Sequence, residues 1–443
     1  MEGSRNKKPA VYIETYGCQM NKYDTELVSG LLTEKGFRMV DSFERADIVM
    51  INTCSVRDHA EKRALGRLGT LAGWKKGAPG RKLGVIGCMG QRLGSDLLDK
   101  KSCLDFIVGP DAYRDLPKIL DNGISGACAR VDLNAKEIYE GIRPERVPGI
   151  TGWIAISRGC DNHCSYCIVP STRGSERSRP IREILAELEA MALQGYREVT
   201  FLGQNVNSYR DGETDFAGLL HRAARTEGIL RIRFMTSHPK DLSDTLLDTM
   251  ARGGKICPHI HLPVQSGSNR ILERMNRGYT HEHYLELIEK ARRKIPGVSF
   301  TTDVIVGFPG ESENDFNDTR DLMETVRFDD AYTYAYSPRA GTEASALPET
   351  ISPEEKRRRL DEVIRSQRRI TQDIKTGMTG HRVEVLPEGS SARSEAEWMG
   401  RTQTNHVVVF PRQNSRLGEP VQVLIETCKG ATLWGKIVGS SPR

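Results

Sequence analysis

Short β-rich runs and helix-like stretches take turns along the first part of the chain. Val11-Tyr-Ile-Glu-Thr-Tyr16, Ala46-Asp-Ile-Val-Met-Ile51 and Lys82-Leu-Gly-Val-Ile86 read as strands, with a helix from Tyr23 to Lys35 between the first two. That order predicts a parallel α/β sheet. Asp105-Phe-Ile-Val-Gly109 predicts a fourth strand and Asp111 to Leu120 a closing helix, so a first domain is expected over 9–122. A polar segment with Gly141, Pro144, Pro148 and Gly149 leads into a second alternation. Strands are expected at 153–157, 198–202, 231–235, 259–262, 300–306 and 331–336, with a helix at 181–193, and polar or glycine-rich residues follow the strands. Repeated βα units close into a full or partial TIM-type (β/α) barrel, here 146–376, with chemistry at the carboxyl ends of its strands. Beyond Gly377 five short β-runs, at 381–385, 397–402, 406–410, 420–425 and 432–437, predict a small antiparallel, OB-like β-barrel over 377–440. The fold class is therefore α/β and multidomain.

Composition narrows the class only slightly. With 443 residues, 38% hydrophobic and 28% charged, and a net charge of +5, the chain reads as an ordinary globular protein of about three domains. The start Met1-Glu-Gly-Ser-Arg-Asn-Lys-Lys8 has no apolar stretch and no run approaches membrane-spanning length, so a cytoplasmic, reducing setting is expected. Ten cysteines in such a setting argue for metal rather than disulfides. The predicted helix from Pro353 to Lys375 places Leu360, Val363, Ile364, Ile370 and Ile374 on one stripe, with Lys356, Arg357, Arg358, Arg359, Arg365, Arg368 and Arg369 elsewhere. That basic run is either an RNA contact or a solvated face.

Two sets of cysteines change the picture most. Cys160, Cys164 and Cys167 stand at C-x3-C-x2-C spacing. Three thiolates fill three corners of an iron-sulfur cube and leave one iron open to a substrate or cofactor. The competing reading is a zinc site of these cysteines with His163, although structural zinc favours paired C-x2-C knuckles. Cys18, Cys54 and Cys88 each follow a predicted strand within three residues. Carboxyl ends of parallel strands share one sheet edge, so these three should converge into a second three-thiolate site. Cys103, Cys128, Cys257 and Cys428 have no ligand spacing and read as packing residues.

The C-x3-C-x2-C run, with Tyr166 before its last cysteine, resembles the radical S-adenosylmethionine superfamily. Gly400-Arg-Thr402 with Asn405, Val408 and Phe410 resembles the RNA-binding TRAM domain. The whole order is similar to the methylthiotransferases. Thr15-Tyr-Gly-Cys-Gln-Met-Asn21, Asn52-Thr-Cys-Ser-Val-Arg57 and Cys164-Ser-Tyr-Cys-Ile-Val-Pro-Ser-Thr-Arg-Gly174 look like the branch called MiaB. The resemblance implies methylthiolation at C2 of N6-dimethylallyladenosine just 3′ of a tRNA anticodon. Sister branches act on threonylcarbamoyl-adenosine or on a ribosomal-protein aspartate, and a non-catalytic zinc RNA-binding protein is the reading from another class. The methylthiotransferase resemblance implies two [4Fe-4S] clusters, a radical-generating one on Cys160, Cys164 and Cys167 and a sulfur-bearing one on Cys18, Cys54 and Cys88, with two S-adenosylmethionine molecules per turnover. Tyr166 would lie against the adenine, Gly203, Gln204 and Asn205 would take the methionine amino group, and Ser237, Gln265 and Asp303 would reach methionine or ribose atoms. Ile305 and Gly307 match the adenine-packing strand, where Asp303 replaces the usual glycine and the following acidic residue is displaced to Glu311. Expected partners are the tRNA anticodon stem-loop, a sulfur donor and a reductant such as flavodoxin or ferredoxin, with no membrane and a monomeric chain.

Overall fold

The computed structural model describes residues 8–55, 58–121 and 126–440. The expected boundary at Asn122, the segment before Lys8, and Val56 and Arg57 lie outside the described residues. The chain divides into two compact units, one of residues 1–147, 157–163 and 167–179, the other of 148–156, 164–166 and 180–443.

The first unit is built on β1 (Ala10–Tyr16), β2 (Arg38–Met39), β3 (Ile48–Thr53), β4 (Lys82–Ile86), β5 (Phe106–Val108) and β6 (Cys128–Arg130). They form one sheet in the order β2-β1-β3-β4-β5-β6, with every pairing parallel. The sequence pattern missed the short edge strands β2 and β6, too brief to show a period. β3 is buried at all six positions, as a central parallel strand covered on both faces must be. Alternate side chains serve two cores. Val11, Ile48, Met50, Ile86 and Val108 meet Leu27, Val28 and Leu31 of α1 (Gln19–Glu34). Val49, Ile51, Leu83, Val85 and Ile107 meet Leu68 and Leu71 of α2 (Asp58–Lys76) and Leu97 of α3 (Cys88–Lys100). A short α4 (Leu116–Asp121), the ribbon of β8 (Ser157–Arg158) with β9 (Arg177–Ser178), and α5 (Val169–Arg173) complete this unit.

In the second unit β7 (Thr151–Ala155), β10 (Glu198–Leu202) and β13 (Arg231–Phe234) form one parallel sheet, and β14 (His259–His261), β15 (Ser299–Val306) and β16 (Asp330–Ala335) another. A parallel bridge from Ile232 to Ile256 and a bond from Ser237 N–H to His261 O join them. A single apolar core runs beneath both, reaching α6 (Ile181–Leu193), α7 (Phe216–Ala223), α8 (Asp244–Ala251), α10 (His281–Lys294) and α11 (Glu313–Val326). The hairpin of β11 (Arg210–Asp211) with β12 (Thr214–Asp215) and the short α9 (Asn269–Arg274) fill connections. This is a partial (β/α) barrel, as the alternation predicted.

The long α12 (Pro353–Gly377) buries Val363, Gln367 and Ile370, but also Arg359 and Lys375. Arg359 was expected among the polar face; it is buried because Glu311, itself buried, accepts its Nη1–H at 2.8 Å. Arg358 pairs with Glu313, Glu355 and Glu362, and Arg369 with Glu324 and Asp373. Much of the basic run is therefore neutralised within the fold.

β17 (Arg382–Ser390), β18 (Glu397–Thr402), β19 (Val407–Pro411), β20 (Val421–Lys429) and β21 (Thr432–Ser440) close a barrel in the order β17-β18-β19-β21-β20. It is not wholly antiparallel: β19 and β21 run parallel. Five strands in a ring cannot alternate direction throughout, so one parallel pair is unavoidable. Arg231 and Arg233, at the start of β13, donate to the carbonyls of Arg401, Thr402 and Gln403 at 2.5–2.7 Å. Ser299 reaches Thr404 O, and His406 lies 3.2 Å from Asp329. The small barrel thus docks at the amino ends of the parallel strands.

Candidate functional site

In the first unit three neighbouring strands deliver three cysteines to one edge. β1 stops at Tyr16 just before Cys18, β3 stops at Thr53 beside Cys54, and β4 stops at Ile86 just before Cys88. Register places Tyr16 opposite Thr53 and Asn52 opposite Ile86, so the ends are level. Cys18 caps α1 and Cys88 opens α3, where helix N-termini favour negative charge. Glycine precedes both because nothing larger fits. A Cβ at Gly17 would sit 2.6 Å from the Cys54 Cβ, and one at Gly87 would collide with Asn52 Oδ1, each at positive φ. Asn21 and Asn52 staple the turns: Asn21 Nδ2 donates to Asn52 Oδ1 at 3.1 Å, and Asn52 Nδ2 to Asn21 O at 2.8 Å.

The electrostatics favour a thiolate at Cys18 and oppose one at Cys88. The Cys18 thiol is lowered to about 6, chiefly by its hydrogen bond with Cys54, against burial and with help from the Arg173 charge. Burial pushes the Cys88 thiol up, opposed by Arg173, whose Nε–H donates to Cys88 Sγ at 3.2 Å. Arg173 Nη2 also bonds Asp24 Oδ2 at 2.6 Å, while Arg158 Nη2 bonds Asp24 Oδ1 at 2.8 Å. All three are buried, and burial of Asp24 is overcome by the two guanidiniums, which hold its carboxyl below the ordinary value. Arg173 Nη1 is buried with no protein partner among the described residues. Sequence reasoning missed this triad, although Arg173 lies in the quoted Ser-Thr-Arg-Gly run. Among the described residues no group of three or more His, Cys, Asp or Glu side chains is set to hold one metal ion. A cube takes each thiolate on a different iron, so its ligands stand further apart than those of a single tetrahedral ion. Three level thiols beside a cation and an unused N–H fit such a cluster.

Of the downstream set, Cys160 and Cys167 belong to the first unit, where Cys160 N–H bonds Gly174 O. Cys164 and Tyr166 belong to the second. There Arg277 Nη1–H donates to Cys164 Sγ at 3.2 Å, and Tyr166 packs with Ile305 against Ile271, Met275, Phe308 and Tyr336. The two residues expected at the adenine thus share one apolar patch.

The strand ends of the second unit carry buried polar atoms lacking protein partners among the described residues: Gln204 Oε1, Ser237 Oγ, His238 Nε2 and Gln265 Oε1. His238 Nδ1 accepts from Lys240 N–H, and burial, aided by the Arg277 and Lys240 charges, lowers the imidazole to about 2, so a neutral Nε2–H is left as donor. Thr236 and Gln265 hold positive φ, 71° and 69°, a strained state for side-chain-bearing residues that clusters at binding sites. Donors and acceptors of this kind fit the amino and carboxylate groups of an amino-acid ligand. Asn205 is differently used: its amide bonds Asp241 and the His238 N–H. Gly203 follows β10 directly, and Asp303 lies within β15 rather than at its end, 3.6 Å from His261 Nε2. Glu311 is occupied by Gly307 N–H and Arg359, so the displaced acidic residue anchors α12.

Residues 154–323 match the Radical SAM superfamily, 10–109 the Uncharacterized protein family UPF0004, and 377–438 the TRAM domain. The tRNA-2-methylthio-N(6)-dimethylallyladenosine synthase of Chloroherpeton thalassium is 48% identical over 97% of this chain and 96% of its own. The chain belongs to this synthase family. A family member from Thermoanaerobacter sp. is 44% identical over 99% of this chain and 94% of its own. Among solved structures, the radical S-adenosylmethionine methyltransferase TsrM of Kitasatospora setae aligns with a TM-score of 0.58 at 14% identity, over 76% of this chain and 74% of that one. The cobalamin-dependent radical enzyme OxsB gives 0.52 over 82% and 56%. At such identities these two share the fold alone. No helix among the described residues is long and apolar enough to cross a membrane.

Proposed function

We propose that this chain replaces the C2 hydrogen of N6-dimethylallyladenosine, just 3′ of a tRNA anticodon, with a methylthio group. Near-full-length identity to synthases of that name carries the reading. The cysteine-ended strands of the first unit support it. An adenine C2–H is unactivated, so acid-base chemistry cannot exchange it for sulfur, whereas a carbon radical can abstract it. Cys160, Cys164 and Cys167 would hold a cluster that, once reduced by one electron, would supply that radical from bound S-adenosylmethionine.

Around it the chain's own groups bind and orient. Gln204, Ser237, His238 and Gln265 turn their unpartnered atoms to the methionine end, while Tyr166 and Ile305 offer the apolar patch to adenine. Gly203, Asn205 and Asp303 complete the set assigned to S-adenosylmethionine. Cys18, Cys54 and Cys88 hold the second, sulfur-bearing cluster; Arg173 offsets its negative charge, and the burial of Cys54 and Cys88 keeps water away. Two S-adenosylmethionine molecules are used per turnover, one as methyl donor and one as radical source. Working domains at 9–122, 146–376 and 377–440 give the last the task of gripping the anticodon stem-loop while the base leaves its stack. A flavodoxin or ferredoxin supplies electrons to a monomeric, cytoplasmic enzyme, and a separate donor restores sulfur.

The test is nucleoside mass spectrometry of tRNA after incubation with anaerobically reconstituted protein, S-adenosylmethionine and dithionite. Methylthiolation of dimethylallyladenosine is expected, with none on threonylcarbamoyl-adenosine. The reverse preference overturns the substrate assignment.

A further inference from the structure

Arg277 is a buried guanidinium without a carboxylate. It is 5% exposed, and each nitrogen donates: Nη1 to Cys164 Sγ at 3.2 Å, Nη2 to Pro263 O at 2.9 Å, Nε to Tyr279 Oη at 3.0 Å. Tyr279 Oη–H donates to Val264 O at 2.8 Å, and its ring lies under the guanidinium, 5.3 Å from ring centre to Cζ. Among the described residues no acidic side chain pairs with it. Among the described residues, the other buried arginines of the same unit are compensated: Arg231 by Glu384 at 3.0 Å, Arg233 by Glu198 at 2.9 Å, Arg359 by Glu311 at 2.8 Å.

An uncompensated buried cation costs several kcal/mol, so an anion should face it when the protein is loaded. Cys164 as a thiolate ligand is the group in place to provide that charge. A guanidinium keeps its proton in proteins, so Arg277 is a fixed positive charge.

Hydrogen bonds and positive charge at a cluster's sulfurs favour its reduced, more negative state. We propose that Arg277 raises the reduction potential of the cluster that Cys164 ligates, and so allows a low-potential one-electron donor to load it. The step balances simply: one electron passes from the donor to the cluster, whose net charge falls by one, and no bond is made or broken. Arg277 acts through Cys164, as a tuning residue. Its bond to Pro263 O also ties the ligand to the segment carrying Gln265. The inference rests on the proposed cluster at Cys160, Cys164 and Cys167.

The experiment is an EPR-monitored redox titration of full-length, anaerobically reconstituted protein in which Cys18, Cys54 and Cys88 are alanine, leaving one cluster to observe. Arg277→Met should lower the reduced-to-oxidised ratio at fixed potential at least tenfold, about 59 mV for a one-electron couple. Arg277→Lys should keep the ratio within about threefold by the same relation. If the parent binds no iron and cleaves no S-adenosylmethionine, the cluster assignment itself has failed. A parent with its cluster and an Arg277→Met titration that overlays it overturns the proposal alone. An equal fall in Arg277→Lys also overturns it, because fit rather than charge then matters. Should Arg277→Met take up no iron, Arg277→Gln takes its place under the same criterion, and failure of that variant to take up iron counts against the proposal.

Discussion

Replacing Asp24 with asparagine removes one charge from a site where nothing else can replace it. Its oxygens hold Arg158 at 2.8 Å and Arg173 at 2.6 Å, and the three side chains are 0%, 2% and 3% exposed. Tyr113 Oη adds a bond at 3.4 Å. Breaking a buried ion pair by deleting one partner costs about 3–5 kcal/mol, because the remaining charge is stranded. At about 2–4 °C per kcal/mol for a unit of this size, the first unit should melt about 6–20 °C lower. With two units present, the assay must be local: hydrogen exchange at peptides from β1, β3 and β4 in iron-free protein, across a urea series. The pH dependence has a fixed sign. The Asp24 carboxyl lies below its ordinary value, so its stabilisation is present above about pH 4 and lost as pH falls through the folded value. The gap between the unaltered protein and the Asp24→Asn variant should therefore close in acid. Joining Asp24→Leu with Arg173→Met should cost less than the sum of the single changes, since each strands the other's charge. A loss under about 1 kcal/mol, or a gap that widens in acid, would falsify the triad as the strut beneath the cysteines.

Three further outcomes follow from the site. Alanine at Cys160, Cys164 and Cys167 together should leave about half of some eight irons and abolish S-adenosylmethionine cleavage, whereas alanine at Cys18, Cys54 and Cys88 should leave slow 5′-deoxyadenosine release but no methylthio product, read by iron assay and mass spectrometry. Gly87→Ala should cost about 1–3 kcal/mol of backbone strain besides the clash with Asn52, and should deplete iron at the first unit while sparing the Cys160 set; full iron retention there would contradict the argument from φ. Arg393→Glu with Lys429→Glu, both on the small barrel, should weaken tRNA binding and flatten its salt slope by up to about one per lost phosphate contact. Point changes serve better than deletion from Gly377, which would strip Arg231 and Arg233 of their acceptors.

Spacing alone determined much of this protein. Period-two and helical runs gave the parallel sheet, the alternating barrel and the five-stranded tail, because burying one face of each element leaves a trace in local order. The shared edge of Cys18, Cys54 and Cys88 was legible too, since each follows a strand and parallel strands must share a carboxyl edge. Strands of two or three residues such as β2 and β6 carry no period and were found only in the fold. Partnership was likewise decided in three dimensions. Asp24, Arg158 and Arg173 come from distant segments, and no sequence pattern marks which arginine will lose its water to a buried carboxylate. Arg359 looked solvated until Glu311 was seen to be buried beside it. Arg277 looked like any basic residue until packing left it facing a cysteine sulfur and no carboxylate. The chain's local order sets which groups exist and where elements begin, but desolvation depends on what the remote chain brings alongside, and that fixes which buried charges find a partner in the fold.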